Sequence, residues 1–355
     1  MLMRKLLLLA GLVVVLALIG AGAAGTIAWN RIHEPHKGYA EPERIVEIPP
    51  GSGAAEIRRR LIEAGIVRDD WTLRAAIWWT GTAQRLQAGE YQFDRPMSPM
   101  AVVEKIGRGE VYARRITFPE GLTIDEMAKL YEAREFGTAA DFVAAAGDET
   151  LIADLDPQAA DLEGYLFPET YAVPRGLPAA RLIGMMVDRF LASYSEDLRA
   201  AAKEQGLTTR QVVTLASLVE KETGRAEERA LVAAVYRNRM RVGMGMQADP
   251  TVVYALQKAG RYDGNIRRED LQFDSPYNTY RYSGLPPGPI ASPGRAALAA
   301  TLAPADVRHL YFVSRNDGSH VFADTLAQHN ANVYQYQVLY FRQQRERQRQ
   351  QGGTR

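Results

Sequence analysis

Glu220 and Glu222 stand in the stretch Gln211-Val212-Val213-Thr214-Leu215-Ala216-Ser217-Leu218-Val219-Glu220-Lys221-Glu222-Thr223. A carboxyl group kept away from water can serve as a general acid near neutral pH. Thr208 or Thr209 supplies an N-cap and Gly224 an end, and apolar residues on nearly every side predict a buried helix between them. Carboxylates in its last turn face the negative end of the helix dipole and gain nothing from it. At about 100° per residue, Glu220 shares a face with Val213, Ala216, Ser217, Thr223 and Gly224, whereas Glu222 shares one with Gln211, Leu215, Leu218 and Val219. Glu220 is thus expected to project from a surface of small residues open to a bulky polymer, its pKa raised by partial burial and by the helix end. The competing expectation is a frayed helix end with two solvated glutamates near Lys221 and Arg225.

Three segments downstream hold further polar chemistry. Gln247-Ala248-Asp249-Pro250-Thr251 places an amide, a carboxylate and a hydroxyl around a proline suited to the first turn of a helix. Tyr277-Asn278-Thr279-Tyr280 combines hydrogen-bonding groups with two rings, a mixture fit for sugar hydroxyls and pyranose faces. Gly284-Leu285-Pro286-Pro287-Gly288-Pro289-Ile290-Ala291-Ser292-Pro293-Gly294 is too rich in Pro and Gly for a helix or strand and reads as a long rigid loop. His309, His320 and His329 lack the short helical spacing of a zinc site, and without cysteine there are no thiolate ligands, so neither metal nor other cofactor is expected.

The elements that must position these groups belong to a chain of 355 residues, 46% hydrophobic and 24% charged, long enough for two domains with cores of their own. A net charge of +1 provides no field for a polyanion, and nucleic acid is not an expected partner. Leu6 to Trp29 is a run without charge, long enough at a rise of about 1.5 Å per residue to span a hydrocarbon core of about 30 Å. Arg4 and Lys5 before it put residues 1–5 in the cytoplasm and everything after Trp29 outside. A cleaved signal peptide is the rival, since Gly20 to Ala24 are all small.

After a linker at 30–43, one pattern occurs twice. Ile45-Val46-Glu47-Ile48-Pro49-Pro50-Gly51 followed by Glu56, Ile57 and Leu61 matches Arg115-Ile116-Thr117-Phe118-Pro119-Glu120-Gly121 followed by Glu126, Met127 and Tyr131. Each copy predicts strand, Pro-Gly turn and amphipathic helix. With a helix around Trp71 to Trp79, a strand at 89–93 and a helix from Ser98 to Ile106, residues 44–114 form a small α+β module that resembles a LysM-like carbohydrate-binding unit; a plain spacer is the alternative. Trp71, Trp78 and Trp79 could stack on sugars, although aromatic residues on a helix usually belong to a core. Residues 115–340 form a larger mixed α/β domain around the buried helix, giving an α+β class overall, and 341–355 are a polar tail.

Together, Ala216 to Thr223, Gln247 to Thr251, Tyr277 to Tyr280, Gly284 to Ile290, Tyr311-Phe312-Val313 and His329-Asn330 closely resemble the YceG-like endolytic murein transglycosylases. The resemblance covers nearly the whole chain, the anchor and the Glu163 to Tyr171 segment included. It implies a membrane-anchored lyase, with its catalytic domain on the outer side of the inner membrane. Such an enzyme cuts the MurNAc-GlcNAc bond of nascent strands to leave 1,6-anhydro ends and so ends strand elongation. Glu220 falls on the catalytic glutamate, with Ser217, Gln247, Asp249, Thr251, Tyr277, Asn278 and Tyr280 as the residues around the sugar. Peptidoglycan and the membrane are the implied partners, together with penicillin-binding synthases. Ala248 stands where relatives often carry a hydroxyl. The alternatives are a muramidase using Asp249 or Glu169 as second carboxylate, and a wall-binding protein in which the glutamate is structural.

Overall fold

The computed structural model describes residues 2–352, so the last three residues of the polar tail lie outside the described residues. The chain divides into two compact units, Met1–Arg115 with Ala172–Gly176, and Ile116–Tyr171 with Leu177–Arg355. The boundary expected after residue 114 falls one residue from this division. Ala172–Gly176 join the first unit although the sequence places them inside the second domain.

The first unit begins with α1 (Leu2–His33), which contains an apolar stretch, Gly11–His33, long enough to cross a membrane. The helix continues past Trp29 with Arg31 and His33 in its last turn, where positive charge suits the dipole. Ile32 is buried in the unit's core. Strand β1 (Arg44–Ile48) leads through a Pro-Gly turn to α2 (Ala54–Glu63) and α3 (Asp70–Thr80), and β2 (Gly89–Phe93) returns antiparallel to β1 in the register Arg44↔Phe93 to Ile48↔Gly89. The period of two sends Val46, Ile48, Tyr91 and Phe93 inward against Ile57, Leu61, Leu73 and Ile77. Helix α4 (Pro99–Gly107) follows, capped by Ser98 with Pro99 at its first position, and adds Val102, Val103 and Ile106 to that core. Trp71, Trp78 and Trp79 are exposed, contrary to the core placement that helical aromatics usually take, because α3 turns Leu73, Ala76 and Ile77 inward instead.

The chain enters the second unit along β3 (Ala113–Thr117) and runs through α5 (Ile124–Ala133) and α6 (Ala139–Ala146) to β4 (Thr170–Pro174), which pairs with β3. There follow α7 (Ala179–Ser193), α8 (Glu196–Glu204), α9 (Thr209–Glu222), α10 (Arg229–Arg241), α11 (Asp249–Lys258) and α12 (Arg295–Leu302). A hairpin of β5 (Tyr311–Ser314) and β6 (His320–Ala323), α13 (Leu326–Val333), a π-helical turn at Tyr334–Leu339 and α14 (Tyr340–Gly352) complete it. Helix α9 is the centre of this unit, with α8, α10, α11 and α12 packed around it. All eight residues from Val212 to Val219 are buried, as expected of a helix apolar on every side.

Candidate active site

Helix α9 starts on a capping box, in which the Thr208 hydroxyl accepts from Gln211 N at 3.2 Å and the Gln211 side chain accepts from Thr208 N at 3.0 Å. It ends at Thr223 in extended backbone, and its last turn carries Glu220 and Glu222, half-buried, on either side of the exposed Lys221. The small-residue face predicted to be open is covered. Ser217 Oγ donates to Thr214 O at 2.7 Å and accepts from Ile290 N at 3.1 Å, so the Pro-rich loop is tied down over Ala216 and Ser217, both fully buried. The reason is steric: residues with little bulk let a backbone segment come close, and a loop of this protein fills the space expected for a polymer.

Glu220 lies where that loop ends. Its side chain is 6% exposed, its Oε2 accepts from Gly294 N at 3.0 Å, and its Oε1 lies 4.0 Å from an Arg229 guanidinium nitrogen. Burial pushes the Glu220 carboxyl above its ordinary range and the neighbouring Glu120 carboxylate adds to the rise, while the Gly294 N–H, Arg229 and Lys221 favour the charged form. Glu120 reaches this place across Gly294, where a Cβ would stand 1.9 Å from Glu120 Oε1, so a side chain at Gly294 would displace that carboxylate. The turn carrying Glu120 is fixed on both sides. Gly121 N donates to Ser292 O and Ser292 N to Leu122 O, both at 2.8 Å, and Lys221 Nζ donates to Gly121 O at 3.1 Å.

Glu222 points elsewhere. It accepts from the Tyr236 hydroxyl of α10, and burial, with the Asp249 charge adding, pushes its carboxyl up to about 7. Asp249 is exposed and accepts from the Tyr280 hydroxyl at 2.6 Å, so Glu222, Asp249 and Tyr280 form a second polar group. Gln247 is exposed beside it in the left-handed region (φ 48°), held by its N–H to Thr279 O at 3.3 Å. Tyr277 packs its ring 4.9 Å from that of Tyr254, whose hydroxyl donates to Glu163 at 3.2 Å.

Two other residues expected around the sugar are fully buried and hold backbone. Thr251 Oγ1 donates to Ala248 O at 2.7 Å and meets the Thr279 hydroxyl at 2.9 Å. Asn278 donates to Leu271 O at 3.1 Å and Phe273 O at 2.8 Å, and its Oδ1 accepts from Tyr280 N at 3.0 Å. Glu169 is paired with Arg189. Of the three histidines, His309 lies against Asp324, His320 against Glu228 and His329 over Tyr311; among the described residues no cluster of three or more potential metal ligands forms.

A model of the YceG-like family matches residues 46–335, a span that includes Glu120, the whole of α9, the Pro-rich loop and both polar groups. The chain belongs to the YceG-like family. Relatives of this YceG-like chain include the endolytic murein transglycosylase of Bacillus subtilis, 32% identical over 309 residues, 82% of this chain and 84% of that protein. The endolytic murein transglycosylase of Streptococcus pneumoniae is 30% identical over 326 residues, again 82% of this chain but 58% of the longer relative. A crystal structure of a putative YceG-like protein from Listeria monocytogenes, 29% identical, superposes with a TM-score of 0.55 over 82% of this chain and 99% of that one.

Beside Glu220, the YceG-like fold gathers Glu120, Arg229 and Gly294, which sequence reasoning did not single out. For Glu120 a signal existed: the two copies of the repeated turn differ there, Pro50 in one and Glu120 in the other. For Arg229 there was none, because it reaches Glu220 only after the chain has left α9 and turned into α10.

Proposed function

We propose that this YceG-like protein is an endolytic murein transglycosylase with Glu220 as its acid and base. The observation that carries the assignment is the setting of Glu220: buried at the end of α9, pressed toward its neutral form by burial and Glu120, with one oxygen held by the Gly294 N–H. The names of the relatives support the activity. Glu220 gives its proton to the oxygen leaving C1 of the muramyl sugar. The C6 hydroxyl of that sugar then bonds to C1 and returns its proton to Glu220, closing the 1,6-anhydro ring without taking up water. Internal attack has a high effective molarity, so a single carboxyl group suffices. Between the two proton transfers Glu220 is a carboxylate, and Gly294 N–H with Arg229 stabilises it.

Gln247, Asp249, Tyr277 and Tyr280, the site residues left at least partly accessible, hold the glycan; Ser217, Thr251 and Asn278 shape the loops beneath them. Helix α1 anchors the chain in the inner membrane, and the first unit, with its strand-helix-helix-strand order, serves as a LysM-like module. Acting on nascent strands beside their synthases, the enzyme ends elongation. Hydrolysis is the second reading, favoured by one observation, the presence of Glu120 as a second carboxylate beside Glu220. Mass spectrometry of purified sacculi digested by the wild type and by Glu220→Gln decides: anhydro ends made only by the wild type support the proposal, reducing ends establish hydrolysis, and equal products from both proteins remove Glu220 from the reaction.

A further inference from the structure

The protein has four tryptophans, and none is buried: Trp29 is 47% exposed, Trp71 54%, Trp78 80% and Trp79 56%. Tryptophan is on average one of the more buried residues, so four exposed ones in a single unit are not a sampling of surface composition. At about 100° per residue, Trp71, Ala75, Trp78 and Trp79 fall on one side of α3, opposite the buried Leu73, Ala76 and Ile77. The row does not stop at α3. The Trp78 and Trp79 rings lie 6.4 Å apart, and Trp79 stands edge-on to Trp29 of α1 at 5.2 Å. Trp29 sits near the outer end of the apolar stretch Gly11–His33, and Ile32, buried in the core, fixes α1 against the unit three residues later.

We infer that the tryptophan face of α3 lies in the headgroup layer of the membrane, so that the first unit rests on the bilayer surface beside its own transmembrane helix. Indole has an apolar body and one N–H donor, a combination that favours the boundary between hydrocarbon and water. Trp29 marks that boundary on α1, and its contact with Trp79 carries the same level onto α3. Arg31 and Arg74, both exposed, flank the row and suit lipid phosphates. A sugar-stacking platform also uses exposed rings, but here the row runs on into a lipid-facing helix. The inference rests on the reading of α1 as a membrane anchor.

The test uses the full-length protein in vesicles of phosphatidylethanolamine and phosphatidylglycerol, with and without lipid dibrominated near the ester end of its chains. Two variants keep a single tryptophan, Trp29 or Trp78, the other three being changed to Phe; thermal melts compare both with the parent, whose four tryptophans are measured alongside. We expect bromolipid to quench Trp78 to a similar extent as Trp29, and Trp78 emission to move to shorter wavelength on reconstitution. Quenching of Trp29 with Trp78 unaffected overturns the inference and leaves the anchor intact. Loss of quenching at both positions overturns the anchor as well. Emission of Trp78 that responds to soluble glycan strands and not to bromolipid makes the face a sugar platform and also overturns it.

Discussion

The turns at Pro49–Gly51 and Pro119–Gly121 carry the chain from strand to helix with the same backbone, Gly51 at φ +80° and Gly121 at φ +79°. Their surroundings differ. A methyl group on Gly51 would meet nothing within 4 Å, and the turn closes on itself through Ser52 N to Pro49 O at 3.2 Å. A methyl group on Gly121 would stand 3.6 Å from both Glu220 Cγ and Lys221 Cδ, and the turn bonds outward to Ser292 and Lys221. Helix α2 begins on Gly53 with no side-chain cap; α5 begins on the Thr123–Glu126 capping box, and its first N–H also reaches Glu163. One local instruction written twice gives two similar turns, and only the second packs against Glu220 and Lys221.

If the second turn is shaped around Glu220, the largest effect comes from that residue. Glu220→Gln is expected to keep the fold and lose about two to four powers of ten in turnover of sacculi. Glu222→Gln, which alters a group bonded to Tyr236 and facing Asp249, is expected to lose less. The reverse order would move the reaction to the other polar group.

Exchanging the residue by which the turns differ sharpens the comparison. Glu120→Pro gives the second turn the sequence of the first and removes a negative charge that favours protonated Glu220. The Glu220 pKa then falls, so the alkaline loss of activity moves to lower pH and the lost rate recovers on acidification. Pro50→Glu should leave activity unchanged. A pH–rate profile of Glu120→Pro that overlies the wild type would show that Glu120 has no influence on Glu220.

Smaller effects are expected from the glycines. Gly51→Ala and Gly121→Ala each place a side chain in left-handed backbone at a cost of about 1–2 kcal/mol, and chemical denaturation should show similar losses. Only Gly121→Ala should lower kcat, because only there does the new methyl touch the Glu220 side chain. A kcat lowered equally by both would erase the distinction between the turns.

The repeat and the α9 helix were legible because periodicity, caps and Pro-Gly punctuation are local signals. Glu220 was separable from Glu222 by helical angle, and the two do face different partners. What covers a face was not legible. Ala216 and Ser217 read as open because smallness is equally suited to a substrate and to a loop, and only the bond from Ile290 N to Ser217 shows which is present. Thr251 and Asn278 read as sugar-binding for the same reason: hydroxyl and amide groups serve sugars and buried backbone alike. Whether the tryptophans of α3 face the core or solvent stayed open, because a helix of eleven residues with apolar groups on most sides leaves its inner face undetermined.

The helix starts supply the smallest difference between the two copies. Glu163 is 5% exposed; it accepts from Ile124 N, the first amide of α5, at 3.2 Å and from the Tyr254 hydroxyl at 3.2 Å. Burial, with the Asp161 charge adding, pushes its carboxyl up to about 8 from 4.5, although both bonds favour the charged form. Because the folded-state value lies above the unfolded one, the protonated group's contribution to stability is fully present below about pH 4.5 and is lost as pH rises toward about 8. Glu163→Gln keeps an acceptor for Ile124 N and cannot ionise. Thermal melts at about pH 5 and about pH 8 should therefore show a smaller alkaline loss of Tm in Glu163→Gln than in the wild type, the remaining slope belonging to groups such as Glu222. The uncapped start of α2 has no counterpart to Glu163, so substitutions at Gly53 should leave the pH slope as it is. Parallel melting curves for wild type and Glu163→Gln would mean that Glu163 stays ionised beneath α5, and that the second copy differs from the first in hydrogen bonding alone.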